Sequence, residues 1–391
     1  MKQPDHGLDP ITVEVVRNKI EGIANEMQQT LLRSSFSPIV KEGLDASASL
    51  FTTEGETLAQ ACAIPVHLGT LIPVVAKILE LFPVSQMNAG DAFIMNEPYL
   101  GGTHLPDIAI VTPIVTKDGR VVAISAAMTH HQDMGGMSPG SVPTNAVEIF
   151  QEGLRIPPLK FRDKGKYNET LVALIRQNVR IPNTVMGDLN AQLAACNVGA
   201  RRVGELVDAL GQNMVGAIFA NLLEKSEELT RSALRSIPEG TYSYVDYNDN
   251  DGIELDKRIR FEVAVTIKDG NFHVDFTGSS AQVRGPFNAV PSGALRRHAL
   301  RSVRSRIQRF RQTPVVSARS LLSCPSARSS TRSSRRPLTR GPPPLSAWPG
   351  ASSVRSGRPF PNACPRILPE KCWRSCLAVC AKAAILLSSA N

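Results

Sequence analysis

"GGTHLPDIAIVTPIVTKDGRVVAISAAMTHHQDMGG", residues 101–136, places two strand-like runs between two polar, glycine-bearing segments. The runs at 108–115 and 120–129 are apolar and rich in β-branched residues, and Lys117-Asp118-Gly119 joins them as a turn. A further strand pattern, "DAFIMN" at 91–96, comes just before. Each polar segment, "NEPYLGGTHLPD" (96–107) and "THHQDMGGMSPGS" (129–141), therefore follows a predicted strand. If these strands are neighbours in one sheet, the two loops meet at one edge, where a rigid scaffold commonly presents its chemistry.

Outward from this stretch the periodicities alternate between helix and strand. Asp9 and Pro10 read as an N-cap and first turn, and Val13, Val16, Ile20, Ile23, Met27 and Leu31 follow at spacings of three and four, predicting a long one-faced helix that closes before Pro38. "ASASLFTTEGETLAQ" (46–60) predicts a hairpin turning at Glu54-Gly55, and "LGTLIPVVAKILELFP" (68–83) a helix ending at Pro83. Residues 166–231 read as helical, with a break and a new cap at Pro182 and Asn183. Period two returns at Ile259, Phe261, Val263, Val265 and Ile267, turns at Asp269-Gly270, and continues through Phe272, Val274 and Phe276. The order of elements predicts an α+β fold of mixed α/β character, with no internal repeat.

The charge is divided unevenly. Residues 296–391 hold 17 Arg and 2 Lys against Glu370 alone, a balance of +18, whereas 1–295 carry −9 of the chain's overall +9. Two units are expected: 1–295, patterned and mildly acidic, and 296–391, rich in Arg, Ser and Pro and poorly ordered. Arg-rich disordered segments can bind nucleic acid. The abrupt break after an ordered pattern, with five of the seven cysteines and both tryptophans beyond it, is instead read as an out-of-frame translation. "CWRSCLAVC" (372–380) matches none of the usual cysteine metal motifs. Cys62 and Cys196, the two in the front part, give no disulfide framework. No signal peptide or run of about 18 apolar residues is present, so a cytoplasmic protein with no membrane association is expected.

His104, Asp107, His130, His131 and Asp133 would share a site if the two polar loops meet. Imidazole and carboxylate are the ligands of zinc, manganese or ferrous iron, and an ion so held acidifies a bound water toward neutrality. Any one of these histidines could instead be a cap or a packed core residue; it is the set, with its glycines, that points to a metal or catalytic centre. Asp45, just before a predicted strand, supplies another carboxylate, and His67 reads as a packed or capping residue. Glu148, Glu152 and Arg155 could bind a polar substrate or pair on the surface. There is no phosphate-binding P-loop, dinucleotide fingerprint or G-x-S-x-G elbow.

Seven blocks occur together in one order: "KEGLDASASLF", "IPVHLGT", "NEPYLGGTHLPDIAIVTPI", "HHQDMGGMSPGS", "EIFQEGLRIPPLKF", "GDLNAQLAACNVGARR" and "DFTGSSAQVRGPFNAVPSGAL". Over residues 9–295 the chain resembles the hydantoinase B / 5-oxoprolinase family, which includes acetone carboxylase alpha-type subunits. The resemblance implies an enzyme subunit working with a hydantoinase A-type partner that uses ATP to activate a cyclic amide or a ketone. It further implies a divalent metal, manganese or zinc, held by Asp45, His104, Asp107 and His130, with His131 and Asp133 in proton transfer. A cyclic amide hydrolase is the leading expectation, a carboxylase-like subunit the alternative, and nucleic acid an unlikely partner. The chain departs from the family pattern at Glu97, where an aspartate is usual, and in lacking the family's further C-terminal sequence, so a truncated subunit is expected.

Overall fold

A computed structural model describes residues 8–61 and 69–290. Cys62, His67 and everything from 291 onward, including the basic segment, lie outside the described residues.

Seven strands form one antiparallel sheet: β1 (Ala46–Phe51), β2 (Thr57–Gln60), β3 (Ala92–Met95), β4 (Asp107–Val115), β5 (Val121–His130), β6 (Leu159–Asp163) and β7 (Lys166–Tyr167). Their order is β2-β1-β5-β4-β3-β6-β7, so the strands flanking the two polar loops are neighbours, as the sequence requires of a shared site. The sheet is covered on both sides, which is why β4 and β5 read as nearly unbroken apolar runs. On one side Ile108, Ile110, Ile114, Ala123 and Ala127 meet α1 (Pro10–Ser34) and α5 (Pro182–Leu210). On the other, Ala109, Val111, Ile124, Ala126 and Met128 meet Leu71, Val74, Val75 and Ile78 of α3 (Leu71–Leu81).

α1 forms as its spacing dictates. The Asp9 carboxylate accepts from the N–H groups of Ile11 (3.3 Å) and Thr12 (2.9 Å), and all six residues of the predicted apolar stripe are buried. The helix ends at Ser34, and the short α2 (Pro38–Lys41) then leads to β1. α1 and α5 lie side by side, and Gly199 makes room for the contact: a Cβ there would stand 2.7 Å from the Met27 sulfur.

The region read as one helical stretch is divided further. Lys166–Tyr167 pair with β6, and three helices follow, α4 (Glu169–Asn178), α5 and α6 (Gln212–Arg235). Pro182 does begin α5, but Asn183 is not its cap: it lies inside the first turn and accepts from Arg176 (3.0 Å). A second break, within the stretch expected to be helical, falls at Gly211 (φ 81°), where the chain bends by 111° into α6. A small sheet in the order β10-β9-β8 follows, from β8 (Gly240–Asn248), β9 (Ile259–Lys268) and β10 (Asn271–Asp275). Its Val263, Val265, Ile267, Phe272 and Val274 pack with Leu234 of α6. Asp269 and Gly270 both take positive φ (52° and 70°), as a two-residue hairpin turn demands.

The fold is thus mixed α/β. No single helix among the described residues is long and apolar enough to cross a membrane. Because Gly199 touches both Met27 and, at 3.3 Å from its would-be Cβ, the Ser125 hydroxyl, Gly199→Val should overpack the α1–α5 seam and cost about 1–3 kcal/mol. Urea unfolding measures this, and an unchanged midpoint would contradict the packing described.

Candidate metal centre

Three elements converge at one end of the large sheet. Asp107 is the first residue of β4 and His130 the last of β5, and the two are register partners. β1 pairs with β5 on the other side from Ala46↔Thr129 onward, and the His130 N–H donates to the Asp45 carbonyl (3.1 Å), so Asp45 stands at the matching position one strand over. Period-two alternation puts the Asp107 and His130 side chains on the face covered by α3, the face of Ala109 and Met128.

His104 reaches this row from the loop before β4. His104-Leu105-Pro106-Asp107 is a turn closed by the Asp107 N–H donating to the His104 carbonyl (3.0 Å), and the His131 N–H donates to the Pro106 carbonyl (2.7 Å), tying the turn to the end of β5. The paired glycines ahead of it are explained by crowding. A Cβ on Gly102 would lie 2.7 Å from the Glu97 carbonyl oxygen and 2.8 Å from that of Asn96, and Gly101 has φ 114° with α3 against it. Leu44, immediately before Asp45, holds a left-handed φ of 56°, the kind of backbone strain that clusters at functional sites.

The side chains close on one point. His104 Nε2 is 3.0 Å from Asp107 Oδ1 and 3.1 Å from His130 Nδ1, and His130 Nδ1 is 3.4 Å from Asp107 Oδ1. All three residues are buried. The Thr103 hydroxyl donates to the other Asp107 oxygen, turning the carboxylate so that Oδ1 faces the imidazoles. Two ligands bound to one ion at ~2.0–2.2 Å lie roughly 3.0–3.5 Å apart for bond angles between 90° and the tetrahedral value, so the three separations fit a single divalent cation. Asp45 stands outside this trio.

Electrostatics bind the cluster together. Burial alone would lift the Asp107 carboxyl, but the charge and hydrogen bonds of His104 and His130 override it and hold the group well below the usual carboxylate range. Burial would likewise depress His130, yet its bond to Asp107 and the negative charges of Asp45 and Asp107 raise it. The Asp45 carboxylate is therefore felt at His130 although it does not join the trio.

The other expected residues are directed elsewhere. His131 alternates to the α5 side, where its Nε2 lies 3.0 Å from Thr129 Oγ1 and 3.2 Å from Gln192 Oε1, and burial pushes its pKa down. Asp133 accepts from the backbone N–H of Arg180 (2.7 Å) and from its guanidinium (2.8 Å). Glu148 is exposed and starts a short turn (Ile149–Gln151), Glu152 is buried just after it, and Arg155 pairs with Glu97 (2.7 Å) and lies over the Phe150 ring. Glu97 thus has a defined task on the loop leading to His104, since it also accepts from the Tyr99 N–H (3.2 Å).

Several residues that build the site were not singled out from sequence. Asn96 donates to the carbonyls of Leu105 (2.7 Å) and Leu154 (2.9 Å) and accepts from the Ile156 N–H (2.7 Å), stapling the His104 loop to the Glu152–Arg155 segment. Thr103, Arg180 and Gln192 complete the list. Asn96, Thr103 and Gln192 all fall inside the blocks that carry the family resemblance, which was the available signal. Given the crowding at Gly102, Gly102→Ala should displace the His104 loop and reduce divalent-metal affinity at least tenfold, with the fold retained by circular dichroism; unchanged affinity in a metal titration would contradict this account of the loop.

The family model for hydantoinase B/oxoprolinase matches residues 9–310. An uncharacterised protein of Methanocaldococcus jannaschii is 38% identical over 287 residues, covering 72% of this chain and 50% of the relative. The crystal structure of the ATP-dependent caprolactamase from Pseudomonas jessenii superposes with a TM-score of 0.67 at 32% identity, over 74% of this chain and 49% of that one; the same enzyme's curated β subunit is 36% identical over 236 residues, 60% of this chain and 40% of the subunit. A nucleotide-free acetone carboxylase structure shares the fold at a TM-score of 0.67 and 22% identity, over 74% of this chain and 40% of that one. The chain spans about half the length, or less, of the curated relatives it matches. By the extent of the family match, by the ordered blocks and by the fold, this chain belongs to the hydantoinase B/oxoprolinase family.

Proposed function

We propose that this chain acts as the B-type subunit of an ATP-dependent cyclic amide hydrolase, and that His104, Asp107 and His130, with Asp45 beside them, hold a divalent ion, manganese or zinc, in its active site. The observation that carries the reading is the convergence of two imidazole nitrogens and one carboxylate oxygen at 3.0–3.4 Å, all three residues buried. An ion held there would supply Lewis acidity and would lower the pKa of a bound water. The chain's own groups do the rest. Asp107, kept ionised by its neighbours, and the Asp45 carboxylate balance the cation's charge, and Thr103 keeps Asp107 from rotating away.

Glu152 and Arg155 occupy the segment that Asn96 staples to the His104 loop, and we place the polar end of the substrate there. Glu148, exposed at the start of the adjoining turn, would meet substrate or partner at the rim. His131 and Asp133, anticipated as proton carriers, fit better as residues that hold the loops, because Gln192 with Thr129, and Arg180, already engage their side chains. Nucleotide is assigned to a hydantoinase A-type partner. The sequence carries no phosphate-binding loop, and the caprolactamase relative is ATP-dependent by name.

Two measurements test this. The full chain should bind about one equivalent of manganese or zinc, and His104→Ala with His130→Ala should abolish it; stoichiometric metal in the double variant would rule out the ligand set. Co-expressed with its A-type partner and given ATP, the chain should open hydantoin, 5-oxoproline or a larger lactam, and the double variant should be at least 100-fold slower. Turnover of acetone with bicarbonate, and none of the cyclic amides, would replace hydrolysis with carboxylation.

A further inference from the structure

The face of the sheet turned away from the ligands carries a second polar layer, supplied by α5. Gln192 is fully buried, and its side-chain amide donates to the carbonyls of Ile108 (2.8 Å) and Ala127 (3.0 Å) while its oxygen lies 3.2 Å from His131 Nε2. Two carbonyl partners fix the amide's orientation, so its oxygen faces the ring and His131 must carry its proton on Nε2. One side chain thereby grips residue 108, the chain neighbour of Asp107, and residue 131, the chain neighbour of His130. One turn earlier on α5, Asp188 accepts from the N–H groups of Phe36 (2.6 Å) and Ser37 (3.1 Å), fixing the entry to α2, and Ile39 of α2 in turn accepts from the Asp45 N–H (3.2 Å).

We propose that Gln192 is a positioning residue for the metal centre, setting the separation of Asp107 and His130 from behind by holding the residue next to each. The proposal rests on the metal reading given above. It touches no ligand atom; it works because residues 107 and 130 project to one face while 108 and 131 project to the other, so the ligands cannot shift without moving what Gln192 holds. Groups hydrogen-bonded directly to a metal ligand are worth about 10- to 100-fold in metal affinity when removed, and the same range is expected for a residue that fixes the chain neighbours of two ligands.

The test uses the full-length chain, stripped of metal and titrated with cobalt(II), whose visible absorption reports ligand geometry. Gln192→Met keeps the volume and removes all three bonds. It should bind cobalt(II) about 10- to 100-fold more weakly and with a shifted visible spectrum, while circular dichroism shows an intact fold. A residue that merely stabilised the core would lower the melting temperature and leave spectrum and affinity as they were, which overturns the proposal. If Gln192→Met does not fold, Gln192→Glu, which keeps the acceptor for His131 but loses both donations, takes its place with the same expectation. Nitrogen NMR of the unmutated chain supplies an independent check: His131 should be the Nε2–H tautomer, and Nδ1–H would overturn the proposal. Absence of cobalt(II) uptake by the unmutated chain would sink the metal reading itself; normal uptake by parent and variant alike would sink only the role of Gln192.

Discussion

Asp107 and His130 face each other across β4 and β5, and that register pairing is the constraint on which the rest of the site depends. A slip of one residue would send Asp107 or His130 to the α5 side and bring Ile108 or Thr129 into the place of a proposed ligand. The register is fixed by the apolar residues behind it. Ile108, Ile110 and Ile114 must lie against α1 and α5, and Ala109 and Val111 against α3, so the core that stabilises the sheet also aims its two terminal polar residues. Packing and the aim of the candidate ligands are therefore set by one alternation.

Burying a carboxylate and two imidazoles at the end of such a sheet is costly unless they answer one another. Here they do. Asp107 accepts from Thr103 on one oxygen and faces both histidines with the other, which is why it stays ionised despite its burial. Cys196, on the α5 side of the same sheet, shows the contrary case: with no charge to answer it, burial pushes its thiol up to about 11, and it serves the core as an apolar residue. The glycines of the 101–107 loop complete the arrangement by letting the backbone fold back on Asn96 and Glu97, which brings His104 over the strand ends.

Much of this was legible in the sequence where one physical signal dominated. The stripe of α1 and its Asp9 cap, the unbroken apolar runs of β4 and β5 and the Asp269-Gly270 hairpin all formed as their patterns require. β6, β7 and β8 were harder to see, because their residues are largely half-buried or exposed and carry no clean alternation. The break at Gly211 was hidden by helical periodicity on both sides. Of the proposed ligands, His104, Asp107 and His130 were expected within a set that also held His131 and Asp133, and Asp45 came with the family resemblance. The adjacency of His130 and His131 suggested one shared site, yet period two sends neighbours to opposite faces, and His131 went to Gln192. Asp133 could not be placed from sequence because its partner, Arg180, comes from a distant loop.

The central claim is that one cation is gripped by groups from the end of β4, the end of β5 and the loop between β3 and β4. An anomalous-scattering map from crystals of the metal-loaded chain tests it most directly. The account predicts a single strong peak at ~2.0–2.2 Å from His104 Nε2, Asp107 Oδ1 and His130 Nδ1. A peak elsewhere in the molecule, with none between these three side chains, would contradict it.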